Sequence, residues 1–167
     1  FTNDLVKAHQ NCEKLMPLIH LPVQSGSNKI LKAMNRKHTI EEYQKIIEKL
    51  NKINSNIKFS SDFIIGYPGE TYNDFSKTIE LLTKIGFINS FSFVFSARPG
   101  TPAFNLKQVE KTEAKSRLIE FQNIAENAKT SYRKKLIKKT VNVLFENKMK
   151  SGKRYFGRDE HFNAIIV

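Results

Sequence analysis

The chain has 167 residues, a net charge of +12, 40% hydrophobic residues and one cysteine, Cys12. That length can bury a real core and fits one domain plus part of a second. There is no apolar run of membrane-spanning length and no signal-peptide pattern, and a lone cysteine excludes a disulfide framework or a metal-ligand spacing, so a reducing, cytoplasmic setting is expected. The sequence opens on Phe1 and closes in the apolar run 164–167, so a piece of a longer protein is expected.

The charge is not spread evenly. Residues 129–158 hold eleven Lys or Arg against the single acid Glu146, a net +10, while the rest of the chain holds 17 basic and 15 acidic residues. A nearly neutral body with a strongly basic end points to an anionic partner. Nucleic acid is favoured over a membrane surface, because the window has no wide apolar face.

In chain order, residues 2–14 read as a short helix, and 16–23 as a first strand that Pro17 and Pro22 confine or make irregular. The turn Gln24-Ser25-Gly26-Ser27 ends it, and Ser27 is placed to cap a short helix. Thr39 and Glu42 form a capping-box pair that opens a helix to about Asn54, with Tyr43, Ile46, Ile47, Leu50 and Ile53 on one face. Residues 59–65 are a strand short and apolar enough to be covered on both faces, interrupted by Asp62. Gly66-Tyr67-Pro68-Gly69-Glu70-Thr71 turns it into another helix, which Thr71 and Asp74 cap and Gly86 closes. A third strand, 89–95, ends at Ser96-Ala97-Arg98-Pro99-Gly100-Thr101-Pro102. Residues 112–139 read as one long helix with a basic second half. After Val141 an alternating pattern, a loop at 150–153 and strand candidates at 155–156 and 164–167 suggest the start of a small antiparallel barrel.

Three strand–turn–helix units in succession predict parallel strands whose C-terminal turns open on one side of the sheet. There Gln24, Ser25, Asp62, Glu70 and Arg98 converge, with Arg36 close by. An amide, a hydroxyl, carboxylates and guanidinium groups above apolar strand ends suit a zwitterionic or nucleoside ligand, with Ile64 and Gly66 as a flat seat for a base. Each of these residues also has a purely structural reading: Asp62 capping a neighbouring helix, Gln24 satisfying loop backbone, Arg36 as a surface cation. His20 reads as a core histidine, Cys12 as a packing residue, and no catalytic or metal-ligating set stands out.

The runs His20-Leu-Pro-Val-Gln-Ser-Gly-Ser27, Met34-Asn-Arg36, Ser60-Ser-Asp-Phe-Ile-Ile-Gly-Tyr-Pro-Gly-Glu-Thr71 and Ser92-Phe-Val-Phe-Ser-Ala-Arg-Pro-Gly-Thr-Pro-Ala103 together resemble the radical S-adenosylmethionine methylthiotransferases. The resemblance runs from end to end. It implies an α/β fold, the C-terminal half of a partial (β/α) radical-SAM barrel over 1–136, then from 137 to 167 the truncated start of an all-β TRAM domain that binds tRNA. It also implies cofactor contacts at Gln24, Ser25, Arg36, Asp62, Ile64 and Gly66. Substrate contacts are expected at Arg98, Arg133, Lys134, Lys135, Lys138, Lys139, Arg154 and Arg158. Residues 91–100 resemble the branch acting on N6-isopentenyladenosine beside the tRNA anticodon, and a threonylcarbamoyladenosine-type fragment is an alternative.

The family's C-x-x-x-C-x-x-C loop is not in this sequence, and Cys12 matches no ligand of the two [4Fe-4S] clusters expected in the intact protein. Lys37-His38 stands where a Gly-aromatic pair is common. The resemblance therefore implies a piece of an enzyme that is inactive alone and needs the N-terminal half of the same protein. The competing reading is a residual tRNA-binding or RNA-binding module without catalytic activity.

Overall fold

A computed structural model describes residues 2–150 and 152–167 of the chain, so Ser151, in the expected loop at 150–153, lies outside the described residues. The elements run α1 (Asn3–Asn11), β1 (Leu18–His20), α2 (Asn28–Ala33), α3 (Ile40–Ile53), β2 (Lys58–Ile65), α4 (Tyr72–Ile85), β3 (Asn89–Val94), α5 (Lys111–Lys134), β4 (Val143–Lys148), β5 (Tyr155–Asp159) and β6 (Ala164–Ile166), with a short 3-10 turn at Pro102–Asn105. β1, β2 and β3 form a parallel sheet in that order, and β4, β5 and β6 form a separate antiparallel sheet.

Both expected capping boxes are present. Thr39 and Thr71 accept from the backbone N–H three residues on, while Glu42 and Asp74 reach back to the cap residues. Gly86 closes α4 in the left-handed conformation, at φ 69°. The apolar faces of α3 and α4 meet β2 in one core, where the fully buried Phe63 packs against Phe87 and Phe121 with ring centroids 5.6 and 4.7 Å apart.

β1 is shorter than the expected strand, and its chain reaches β2 again only at Gln24. His20 pairs with Ser60 and Gln24 with Phe63, so four steps on one strand match three on the other, a bulge of one residue. Pro22 has no N–H to give to a ladder. The Ser61 hydroxyl splints the gap by donating to Leu21 O at 2.8 Å and accepting from Val23 N at 3.0 Å, and Tyr43 Oη also donates to Leu21 O at 2.8 Å. Gln24 absorbs the bulge in the left-handed region, φ 74°, which is costly for a residue with a Cβ.

α5 begins at Lys111 and ends at Lys134, five residues short of the expected limit. The last turn opens into a series of short backbone turns as far as Lys139, where Lys138 takes φ 65°. The antiparallel sheet is held to the first body at one turn. His161 Nε2 donates to Asn56 O at 2.8 Å, Asn56 Nδ2 donates to Glu160 Oε1 at 2.9 Å, and the His161 ring meets Tyr132 edge-on. None of the described helices is long and apolar enough to cross a membrane.

Candidate functional site

The C-terminal ends of the parallel strands surround a cavity of about 710 Å³, inside the usual range for small-molecule sites. Gln24, Arg36, Asp62, Ile64 and Arg98 all line it. Five positions scattered over 75 residues of sequence are thus brought to one concave surface.

Each arrives by a local rule. Gln24 is pinned at the bulge, its N–H donating to Asp62 O and its carbonyl accepting from Ile64 N, both at 2.9 Å. Asp62 and Ile64 alternate with the buried Phe63 along β2, so the pleat turns them to the open face. Arg36 follows Asn35, which takes φ 57° just past α2, and Arg36 N donates back to Leu31 O at 2.9 Å. That is a Schellman closure, and it explains the Met-Asn-Arg run: Asn tolerates the left-handed position, and the next residue is delivered to the cavity rim. Arg98 sits in the turn after β3, whose carbonyl accepts from Thr101 Oγ1 at 2.7 Å.

The floor is apolar. Ile30, Tyr67 and Ala103 form a small buried cluster, with Met34 and Phe95 packed against it. Tyr67 is fixed by its hydroxyl, which donates to Ala33 O at 2.9 Å, and by the Phe95 ring at 4.8 Å. The side chains of Gln24, Arg36 and Arg98 make no hydrogen bond or ion pair among the described residues. An amide, two guanidinium groups and a carboxylate over a hydrophobic floor fit a ligand that is both zwitterionic and partly flat.

Other expected residues lie elsewhere. Ser25 is buried on the helix side, where its Oγ accepts from Ser27 N at 3.2 Å and lies 3.5 Å from Thr78 Oγ1. Gly66 does not line the cavity. At φ 75° it presses against α5, where an added Cβ would lie 2.8 Å from the Ala114 Cβ. Glu70, expected to converge with Asp62, turns the opposite way: its buried carboxylate accepts from Gly66 N at 3.0 Å and from Arg117 at 2.9 Å. Burial pushes this carboxyl above its ordinary value, against Arg117 and the Gly66 N–H.

His20 is not a core residue. Its side chain is 46% exposed on the same open face as Asp62, because the pleat places Ile19, not His20, beneath the helices. Arg117 was missed in the sequence, although a cation within the apolar stripe Ala114, Leu118 and Phe121 of α5 was a readable signal. The chain's single cysteine is exposed, and no group of three or more His, Cys, Asp or Glu among the described residues could hold a metal ion.

Of the expected RNA contacts, Arg133, Lys134, Lys135, Lys138, Lys139 and Arg154 are exposed without an ion-pair partner among the described residues. Arg158 differs. It grips Glu146 across the β4–β5 pair at 2.5 and 2.6 Å and lies over the Phe156 and Phe162 rings.

Residues 2–82 match the profile of the Radical SAM superfamily. A protein of Pelagibacter ubique described as tRNA-2-methylthio-N(6)-dimethylallyladenosine synthase is 56% identical over 99% of the chain. That similarity runs over nearly the whole chain, well beyond the part that matches the Radical SAM profile. Proteins with the same description from Buchnera aphidicola and Paracoccus denitrificans are 47% and 40% identical over 100% and 99% of the chain. The chain spans 37–38% of the length of these three relatives. In this chain the Gln-Ser-Gly-Ser and Pro-Gly-Glu-Thr turns stand at the ends of neighbouring parallel strands, where α/β folds gather their ligand sites.

Proposed function

We propose that this chain is the part of a cytoplasmic tRNA-modifying methylthiotransferase that builds one wall of its S-adenosylmethionine site and the beginning of its RNA-binding surface. The intact protein would add a methylthio group to C2 of N6-isopentenyladenosine next to the anticodon. The observation that carries the cofactor site is the joint lining of one cavity by Gln24, Arg36, Asp62, Ile64 and Arg98.

The residues fit that ligand group by group. Arg36 pairs with its carboxylate, and Asp62 and Gln24 bind its ammonium or ribose hydroxyls. Ile64 and the Tyr67 floor take the adenine, while Arg98 faces the substrate side. Ser25 and Gly66 shape the turns that carry these groups. When bound, S-adenosylmethionine supplies the radical-forming and methyl-donating chemistry. This chain's own residues do not fit an iron–sulfur cluster, so no step that needs one is assigned to them, and the chain alone is expected to be inactive. The ligands for both [4Fe-4S] clusters would come from the N-terminal half of the same protein.

Residues 137–167 are proposed as the start of a TRAM domain, which the antiparallel sheet and its exposed cations support. tRNA, through its anticodon stem-loop, is the proposed partner. The names of the relatives favour isopentenyladenosine over the threonylcarbamoyl substrate.

Calorimetric titration of the full-length protein with S-adenosylmethionine tests the cavity. Arg36→Ala and Asp62→Asn should each weaken binding by roughly tenfold or more, the cost of a lost charge-assisted bond. Undiminished binding in both would refute the site. Binding of tRNA with no binding of S-adenosylmethionine by the parent protein would support the bare RNA-binding reading instead.

A further inference from the structure

The open face of the parallel sheet carries a polar contact that the cavity residues do not account for. His20 closes β1 opposite Ser60, and its Nδ1 lies 2.9 Å from Ser60 Oγ. Its Nε2 lies 3.4 Å from Asp62 Oδ2. The ring also meets Phe91 edge-on, with centroids 6.1 Å apart. Three contacts from two neighbouring strands fix a ring that is 46% exposed, so it is held in place without being core filler.

Among the described residues Asp62 is the one carboxylate lining the cavity, and no other described side chain hydrogen-bonds or ion-pairs with it. Ser61 and Phe63, on either side of it in β2, turn into the core. An aspartate that must meet a ligand in a defined orientation needs a second group to hold it.

We propose that His20 is a positioning residue for Asp62: the Ser60 hydroxyl donates to Nδ1, which leaves the proton on Nε2 directed at the carboxylate, and the imidazole holds Asp62 towards the cavity. The inference rests on Asp62 contacting S-adenosylmethionine. It adds how that contact is prepared before the ligand arrives, and it assigns a role to the first residue of the His-Leu-Pro-Val-Gln run.

The test is S-adenosylmethionine affinity in the full-length protein, with circular dichroism confirming the fold of each variant. Asn in place of His20 can put its amide oxygen near the Nδ1 position, where it accepts from Ser60, and it loses Asp62. Gln reaches the Nε2 position. His20→Asn and His20→Phe should therefore weaken binding about five- to tenfold, and His20→Gln should recover most of that loss. In an Asp62→Asn background, His20→Asn should add nothing, since the pair acts as one unit.

Unchanged affinity in His20→Asn while Asp62→Asn weakens binding would overturn the inference and leave the cavity assignment standing. Equal loss in His20→Gln and His20→Asn, or additive losses with Asp62→Asn, would also overturn it. If Asp62→Asn is itself silent while Arg36→Ala weakens binding, the assignment of Asp62 fails, and this inference fails with it.

Discussion

Arg117 donates to both the side-chain carboxylate and the backbone carbonyl of Glu70, at 2.9 and 3.1 Å, from 47 positions further along the chain. The same guanidinium also grips Glu113 one turn earlier on α5. The turn that ends β2 is thereby bolted to the helix that leads to the second sheet. Arg117 and Glu70 are both almost wholly buried, so the pair is held by geometry more than by net electrostatic gain.

Removing one partner should therefore be worse than removing both. Arg117→Met leaves a buried carboxylate without its cation and is expected to cost about 3–5 kcal/mol in urea unfolding, less at acid pH where Glu70 can take up a proton. The double variant Arg117→Met with Glu70→Gln should recover part of the loss. A double variant no more stable than Arg117→Met alone would contradict the pairing.

Asp74 gives the pH dependence its sign. Burial pushes its carboxyl up, but Lys29, the Thr71 N–H and hydroxyl and the Ser27 hydroxyl together hold it well below its ordinary 3.8. A folded-state value depressed in this way adds stability that is complete above the unfolded value and is lost as pH falls through the folded one. Between about pH 5 and pH 2 the parent should lose more stability than Asp74→Asn, measured by thermal unfolding in matched buffers. Parallel curves would rule out the contribution.

Gly26 lies flat against α4, its N–H donating to Thr78 Oγ1 at 2.9 Å. A Cβ there would strike Lys77 O and lie 2.5 Å from Thr78 Cα, both backbone atoms that cannot swing aside. Gly26→Ala is expected to destabilise by about 1–3 kcal/mol and to disturb the neighbouring Gln24. An unfolding midpoint equal to the parent's would show that the turn can give way.

For the basic end, tRNA affinity measured against salt should follow a steep falling log–log line, with a slope of about 0.7–0.9 per phosphate contact. Replacing Lys134, Lys135, Lys138 and Lys139 with Gln should flatten that line. Arg158→Ala should instead lower stability and leave the slope nearly unchanged, because its charge is already spent on Glu146. Equal slopes for the parent and the four-Lys variant would place the RNA elsewhere.

Much of this was legible because it is local. Thr39 with Glu42 and Thr71 with Asp74 announce their helices within four residues, and the apolar faces behind them follow the helical period. The direction of single polar side chains was not legible, since it depends on pairing register. Asp62 lies within β2 and Glu70 in the turn that follows it, yet the pleat sends the first to the cavity and Arg117 holds the second on the opposite side. His20 looked buried because Ile19 and Leu21 flank it, and only its pairing with Ser60 reveals which face it occupies. The bulge before Gln24 is a property of two strands together, and no residue between Pro22 and Gln24 encodes it alone.

α5 runs for 24 residues without a Gly or Pro, about 36 Å from end to end. Arg117 anchors its first third beneath the strand-end turn, and its far end releases the chain into the basic segment. Such a rod acts as a spacer of fixed length. An RNA held by the cations at one end would have its reach towards the cavity at the other set by the number of helical turns between them. Lengthening the helix by one turn would shift that reach by about 5 Å while leaving both ends chemically intact.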